Sequence, residues 1–181
     1  MIRNNHGTSA TKTAMSVLSD KLQDALNKQI NSEIYSAYFY LSVAAYFESL
    51  DLKGFSHWMR LQHDEEMRHA LRIFDFINDC RSRVILQAIA QPPVDFASPL
   101  RVAEEALKHE REVTASIDNL YRLAQTENDP RAQIMLEWFI NEQIEEEKSA
   151  DHIIRQLELI GEDGTGLLLL DQQLGLRVAR Q

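Results

Sequence analysis

A chain of 181 residues, 44% hydrophobic and 26% charged, suits one domain with a substantial core. Its formal charge of −9 argues against nucleic acid as the main partner and favours attraction of cations. The single cysteine, Cys80, excludes an intrachain disulfide and a zinc or iron site built from four cysteines, and it fits a reducing, cytoplasmic compartment.

Residues 1–16 are expected to form a disordered extension. Met1 to Ala14 is polar, rich in Ser, Thr and Asn, and lacks the apolar run of a secretory signal; Met15 would be a natural start. Residues 17–181 are expected to fold as one domain. The first amphipathic pattern predicts a helix from about Val17 to Ser49, with Ser19 or Asp20 as its cap. The short link Leu50 to Gly54 turns the chain back into a second helix, Phe55 to Asp79, antiparallel to the first. Arg81 to Ser98 has no helical period and contains Pro92-Pro93. Its length suits a crossover along the whole bundle, which would leave the second and third helices parallel. Ser98-Pro99 opens a third helix that runs to Thr126. The turn at Glu127 to Pro130 leads into a fourth helix ending at Ile160, and a short fifth is expected from Leu167 to about Leu176. No apolar run approaches the length of a membrane span, so no membrane partner is expected.

The four long helices share an anomaly. Their core-facing stripes step by threes and fours, and each is interrupted by carboxylate. The first reads Leu22, Leu26, Ile30, Glu33, Ala37, Tyr40, Ala44, Phe47. The second reads Phe55, Met59, Gln62, Glu66, His69, Ile73, Phe76. The third carries Glu110 between Leu107 and Val113, and the fourth carries Gln143 and Glu146 between Phe139 and Ala150. Burying one ion costs several kcal/mol, roughly, even after relaxation. Glutamates that converge in a core repel, protonate or bind a cation. Glu66 and His69 form Glu-x-x-His, whose i, i+3 spacing aims an oxygen and a nitrogen at one point beside the helix, a pairing that divalent iron accepts. Taken singly, a Glu-x-x-His is usually a solvated pair, Tyr40 is usually packing, and the run Glu145 to Glu147 is usually a solvated face. In conjunction they match the di-iron carboxylate bundle: a glutamate from each of two helices and an i, i+3 pair from each of the others. Here the second pair is Gln143-x-x-Glu146, so a second metal would be held by oxygen alone and more loosely.

These residues resemble a bacterial-type non-haem ferritin over about Leu18 to Leu176. The specific stretches are Asn31 to Ser36, Glu65 to His69, Lys108 to Glu110, and Glu137 to Glu147. The resemblance implies an all-α, ferritin-like four-helix bundle with one long crossover and a short fifth helix, so that residues 17–181 are a ferritin-like di-iron domain. It implies that Glu33, Glu66 and His69 hold one iron, and that Glu66 bridges to a second held by Glu110 and Glu146. Gln143 would lie beside the pair and Tyr40 would serve as a one-electron donor. Glu65, Glu142, Glu145 and Glu146 match a third iron site. The implied function is iron storage. The resemblance also implies a ferroxidase that oxidises Fe(II) with O2 or hydrogen peroxide, with ferric mineral collecting inside a hollow shell of 24 identical subunits.

Three other readings are weighed against this one. A haem-containing bacterioferritin would use a methionine such as Met67, but its second Glu-x-x-His is missing, so haem is not expected. A di-iron oxidase or rubrerythrin-like peroxidase would call for two histidines at the pair or for a cysteine site that one cysteine cannot build. A metal-free helical interaction protein would need other partners for four buried carboxylates.

Overall fold

The computed structural model describes residues 17–179; the expected disordered extension, residues 1–16, lies outside the described residues. The fold is all-α. Four long helices, α1 (Asp20–Ser49), α2 (Lys53–Asp79), α3 (Pro99–Thr126) and α4 (Pro130–Ile160), are followed by the short α5 (Gly164–Leu174).

Local chemistry sets the helix starts. Ser19 accepts from the Leu22 amide, Ser98 from that of Arg101, and Asp129 from those of Arg131 and Ala132. Prolines at the first positions of α3 and α4 fix φ where no amide donor is needed. Because Ser19 is the cap, α1 begins at Asp20 and not at Val17. Two other starts come earlier in the chain than the periodicity predicts. Helix α2 begins at Lys53 and so takes in Gly54. Helix α5 begins at Gly164, where the Asp163 side chain accepts from the Thr165 amide, and ends at Leu174. Gly54 is required by a close approach: a Cβ there would stand 1.6 Å from the Asp171 carbonyl oxygen of α5. The Asp171 side chain also accepts from the Phe55 amide, which fixes α5 across the start of α2.

Helices α1 and α2 are antiparallel, as are α3 and α4. The expected crossover is present and runs along α1. Near its start the Asn27 side chain donates to the Arg83 carbonyl and accepts from the Ile85 amide; near its end Ser42 donates to the Pro93 carbonyl, and Phe96 packs on Phe39 and Tyr46. The chain therefore enters α3 at the end of the bundle where α1 finishes, and α2 and α3 lie parallel.

The core is divided in two. One apolar cluster gathers Leu22, Leu26, Ile30, Ile73, Ile77, Ile117 and Phe139. The other gathers Phe39, Val43, Phe47, Phe55, Met59, Val102 and Ile153, and α5 adds Leu170 and Leu174. Between them lies a buried polar layer made by the interruptions of the four stripes.

Candidate metal centre

Every long helix contributes to the layer. Glu33 and Tyr40 come from α1, Gln62, Glu65, Glu66 and His69 from α2, Glu110 from α3, and Gln143 and Glu146 from α4. All are buried, and Glu33, Glu66, Glu110 and Glu146 are each at most 2% exposed. Carboxylates are almost never buried this fully unless something compensates their charge.

Glu33, Glu66 and His69 converge: each offers a ligand atom, and the three atoms lie within 4.8 Å of one another. Among the described residues this is the one cluster of such side chains arranged to hold an ion. Glu33 shows how the protein aims it. Its Oε1 accepts from Gln29 Nε2 at 2.7 Å, and Gln29 Oε1 in turn accepts from the Ser116 hydroxyl. Its other oxygen, Oε2, is buried without a hydrogen-bond partner, as is His69 Nδ1, which lies 3.4 Å from Glu66 Oε2. The His69 ring is held edge-on by Trp138 and Phe139, and the Arg72 guanidinium caps Trp138 at 4.0 Å. Unpaired oxygen and nitrogen donors at one buried point fit a divalent cation of intermediate hardness, with the supporting hydrogen bonds and ring contacts already made.

The other half of the layer is more fully hydrogen-bonded. Glu110 Oε1 accepts from the Tyr40 hydroxyl, and its Oε2 accepts from Gln143 Nε2 at 3.1 Å; the same amide also reaches the Glu110 backbone carbonyl. Glu146 Oε2 accepts from Gln62 Nε2 at 2.7 Å. Gln143 and Gln62 thus orient carboxylates. A groove of about 280 Å³ between α3 and α4, lined by Thr114, Asp118, Gln143 and Glu147, reaches the layer from outside.

The electrostatics reflect the crowding of buried carboxylates. Burial, reinforced by Glu66, holds the Glu33 carboxyl well above the usual range. Burial and the Glu110 charge do the same to Glu66. Glu110 is pushed by burial to about 7, with Tyr40 and Gln143 partly offsetting the rise. Burial and Glu110 raise the Tyr40 hydroxyl.

The residues matched to a third iron site differ in their surroundings. Glu65 is buried and accepts from Arg177 at 2.7 Å, Glu142 is half-buried, and Glu145 is exposed and lies 3.5 Å from Lys148. Sequence reasoning did not assign roles to Gln29, Gln62, Ser116 or Arg177. Gln29 and Gln62 were within reach of the same logic, since each stands one turn before a buried glutamate on the same helix. Ser116 and Arg177 carry no local signal.

The profile of the Ferritin-like domain family matches residues 23–160. A bacterial non-haem ferritin of Bacteroides fragilis is 38% identical over 161 residues, 89% of this chain and 100% of that protein. One from Staphylococcus aureus is 35% identical over 89% of this chain and 97% of its own length. Among solved structures, an open pore ferritin from the hyperthermophilic archaeon Archaeoglobus fulgidus is 49% identical, with a TM-score of 0.89 over 91% of this chain and 100% of that chain. The chain belongs to the ferritin family. Iron storage is the function that this membership supports, and iron is the cation that the family binds. No helix among the described residues is long and apolar enough to cross a membrane.

Proposed function

We propose that this protein is a ferroxidase that stores iron. In this reading Glu33, Glu66 and His69 bind one Fe(II) and Glu66 bridges to a second, held by Glu110 and Glu146. The observation that carries the reading is the pair of orphaned buried donors, Glu33 Oε2 and His69 Nδ1, beside Glu66. Iron is the substrate. Two Fe(II) give two electrons to one O2, which takes up two protons and leaves as hydrogen peroxide; with hydrogen peroxide as oxidant, the same two electrons and two protons yield two waters. Burial raises the pKa values of Glu33, Glu66 and Glu110, so cation binding competes with protons at these carboxyls and releases them at the place where reduced oxygen needs them. Tyr40 donates its hydrogen bond to Glu110, so loss of an electron from the phenol can pass its proton to that carboxylate.

The pair is asymmetric. The Glu33–Glu66–His69 half offers unpaired donors, whereas Glu110 and Glu146 must exchange protein hydrogen bonds for the ion. The second iron is therefore held less firmly, which suits a centre that passes its product onward. Glu65, with Glu142 and Glu145 near the surface, forms a further station for departing iron. Mineral then collects in a hollow 24-subunit shell of the cytoplasm, and residues 17–181 make up the subunit's ferritin-like domain. Aerobic loading of the metal-free protein with Fe(II), followed by size-exclusion chromatography with iron analysis, tests this. Ferric iron should elute with a large particle, in amounts far above what the ligands of the centre can hold. Iron that stays at the stoichiometry of the centre would mean a resident di-iron oxidase instead.

A further inference from the structure

The segment after α5 brings a cation back to the polar layer. The Arg177 guanidinium donates to Glu65 Oε2 at 2.7 Å and to Gln62 Oε1, and lies 5.4 Å over the Trp58 ring. Its backbone carbonyl meets His57 Nε2 at 2.9 Å. Three residues of one stretch of α2 therefore grip the Arg177 side chain, and a fourth, His57, holds its backbone. The Arg177 side chain is 17% exposed and that of Glu65 only 5%, so the pair is shielded from solvent on most sides. Gln62 extends the grip to the centre: its carbonyl takes Arg177 while its amide group holds Glu146 Oε2.

The surroundings offer the guanidinium a second place to go. A cavity of about 380 Å³ lies alongside, lined by Trp58, His152, Gln156, Leu174 and Arg177 itself. The Gln156 side-chain carbonyl oxygen is buried there without a hydrogen-bond partner. An arginine that leaves Glu65 thus has room and an acceptor on α4. A divalent or trivalent ion also brings more charge to Glu65 than the guanidinium does, and it competes for the same oxygen.

We propose that Arg177 is a tethered, displaceable cation that occupies Glu65 until a metal ion takes its place, so that the segment after α5 controls when iron reaches this station. The proposal rests on the reading of Glu65 as an iron station. Release of Arg177 also frees the Gln62 carbonyl and loosens the amide that orients Glu146. Arrival of an ion at Glu65 is thereby coupled to the looser half of the di-iron pair.

The test uses the full-length, metal-free protein and Zn(II), a redox-silent cation, titrated by calorimetry alongside hydrogen-exchange mass spectrometry of residues 173–179. If Arg177 holds the station closed about nine-tenths of the time, Arg177→Gln should tighten the weakest of the three expected Zn(II) sites by roughly tenfold. In the wild type, exchange in the tail should rise as that last site fills. In Glu65→Gln the tail should exchange fast from the outset, and the weakest site should be lost. An unchanged or weakened site in Arg177→Gln, with Glu65→Gln still losing it, would make Arg177 a structural peg and overturn the latch alone. Retention of all three sites in Glu65→Gln would remove the station, and the latch with it. Exchange measured on the wild type keeps the question decidable if Arg177→Gln fails to fold.

Discussion

Glu110 stands where burial and the nearby Glu146 charge push one way, and the Tyr40 and Gln143 hydrogen bonds push the other. The result is a carboxyl at about 7. A folded-state pKa above the unfolded one means that the stabilising contribution is complete below the ordinary carboxyl range and is lost as pH rises through the folded value. The metal-free protein should therefore lose thermal stability between pH 5 and pH 8, and Glu110→Gln should flatten that fall and raise the midpoint at pH 8; calorimetry across this window checks it. Cation uptake runs the other way, because the ion replaces the proton. Wild-type protein should release about one more proton per subunit on Zn(II) binding at pH 6 than at pH 8, and pH-stat titration reads the difference. At this scale the sequence was legible wherever a charged group broke an apolar stripe, as at Glu33, Glu66 and Glu110. It was silent on which oxygen of each carboxylate is already taken, because that depends on partners from other helices, such as Gln62 to Glu146 and Tyr40 to Glu110.

The long helices declare themselves through period and caps, and Ser19, Ser98 and Asp129 stand where their side chains stop the frayed amides. The starts of α2 and α5 were less legible. Gly54 looks like a turn residue but serves a close backbone approach inside a helix, and Asp163 caps α5 within a glycine-rich stretch that reads as loop. The crossover was readable as a length and not as a path. Its path is set by side chains on α1, above all Asn27, which pairs with backbone groups at Arg83 and Ile85. Asn27→Ala leaves those groups without their protein partners and should cost about 1–3 kcal/mol of stability, measured by denaturant unfolding, while the Zn(II) stoichiometry of the centre stays unchanged.

Across the whole molecule, two apolar clusters pack on either side of a layer that would be costly by itself. The layer spends folding stability on four buried carboxylates, and a bound cation returns it by mass action on the folded state. Topology makes this possible: one long crossover sets α2 and α3 parallel and brings interruptions some hundred residues apart in sequence to one level of the bundle. The four-helix convergence was legible because the interruptions recur at matching heights. The return of the tail to Glu65 was not, since nothing local in the last residues says where α5 will dock. The central claim, that this layer is where Fe(II) is oxidised, is tested most directly by stopped-flow absorbance after anaerobic Fe(II) loading and mixing with air, comparing wild type with Glu66→Ala. Loss of the shared ligand should slow the fast ferric phase on the order of 100-fold, with the slower deposition phase less affected. A Glu66→Ala protein that keeps the wild-type fast phase would contradict the account.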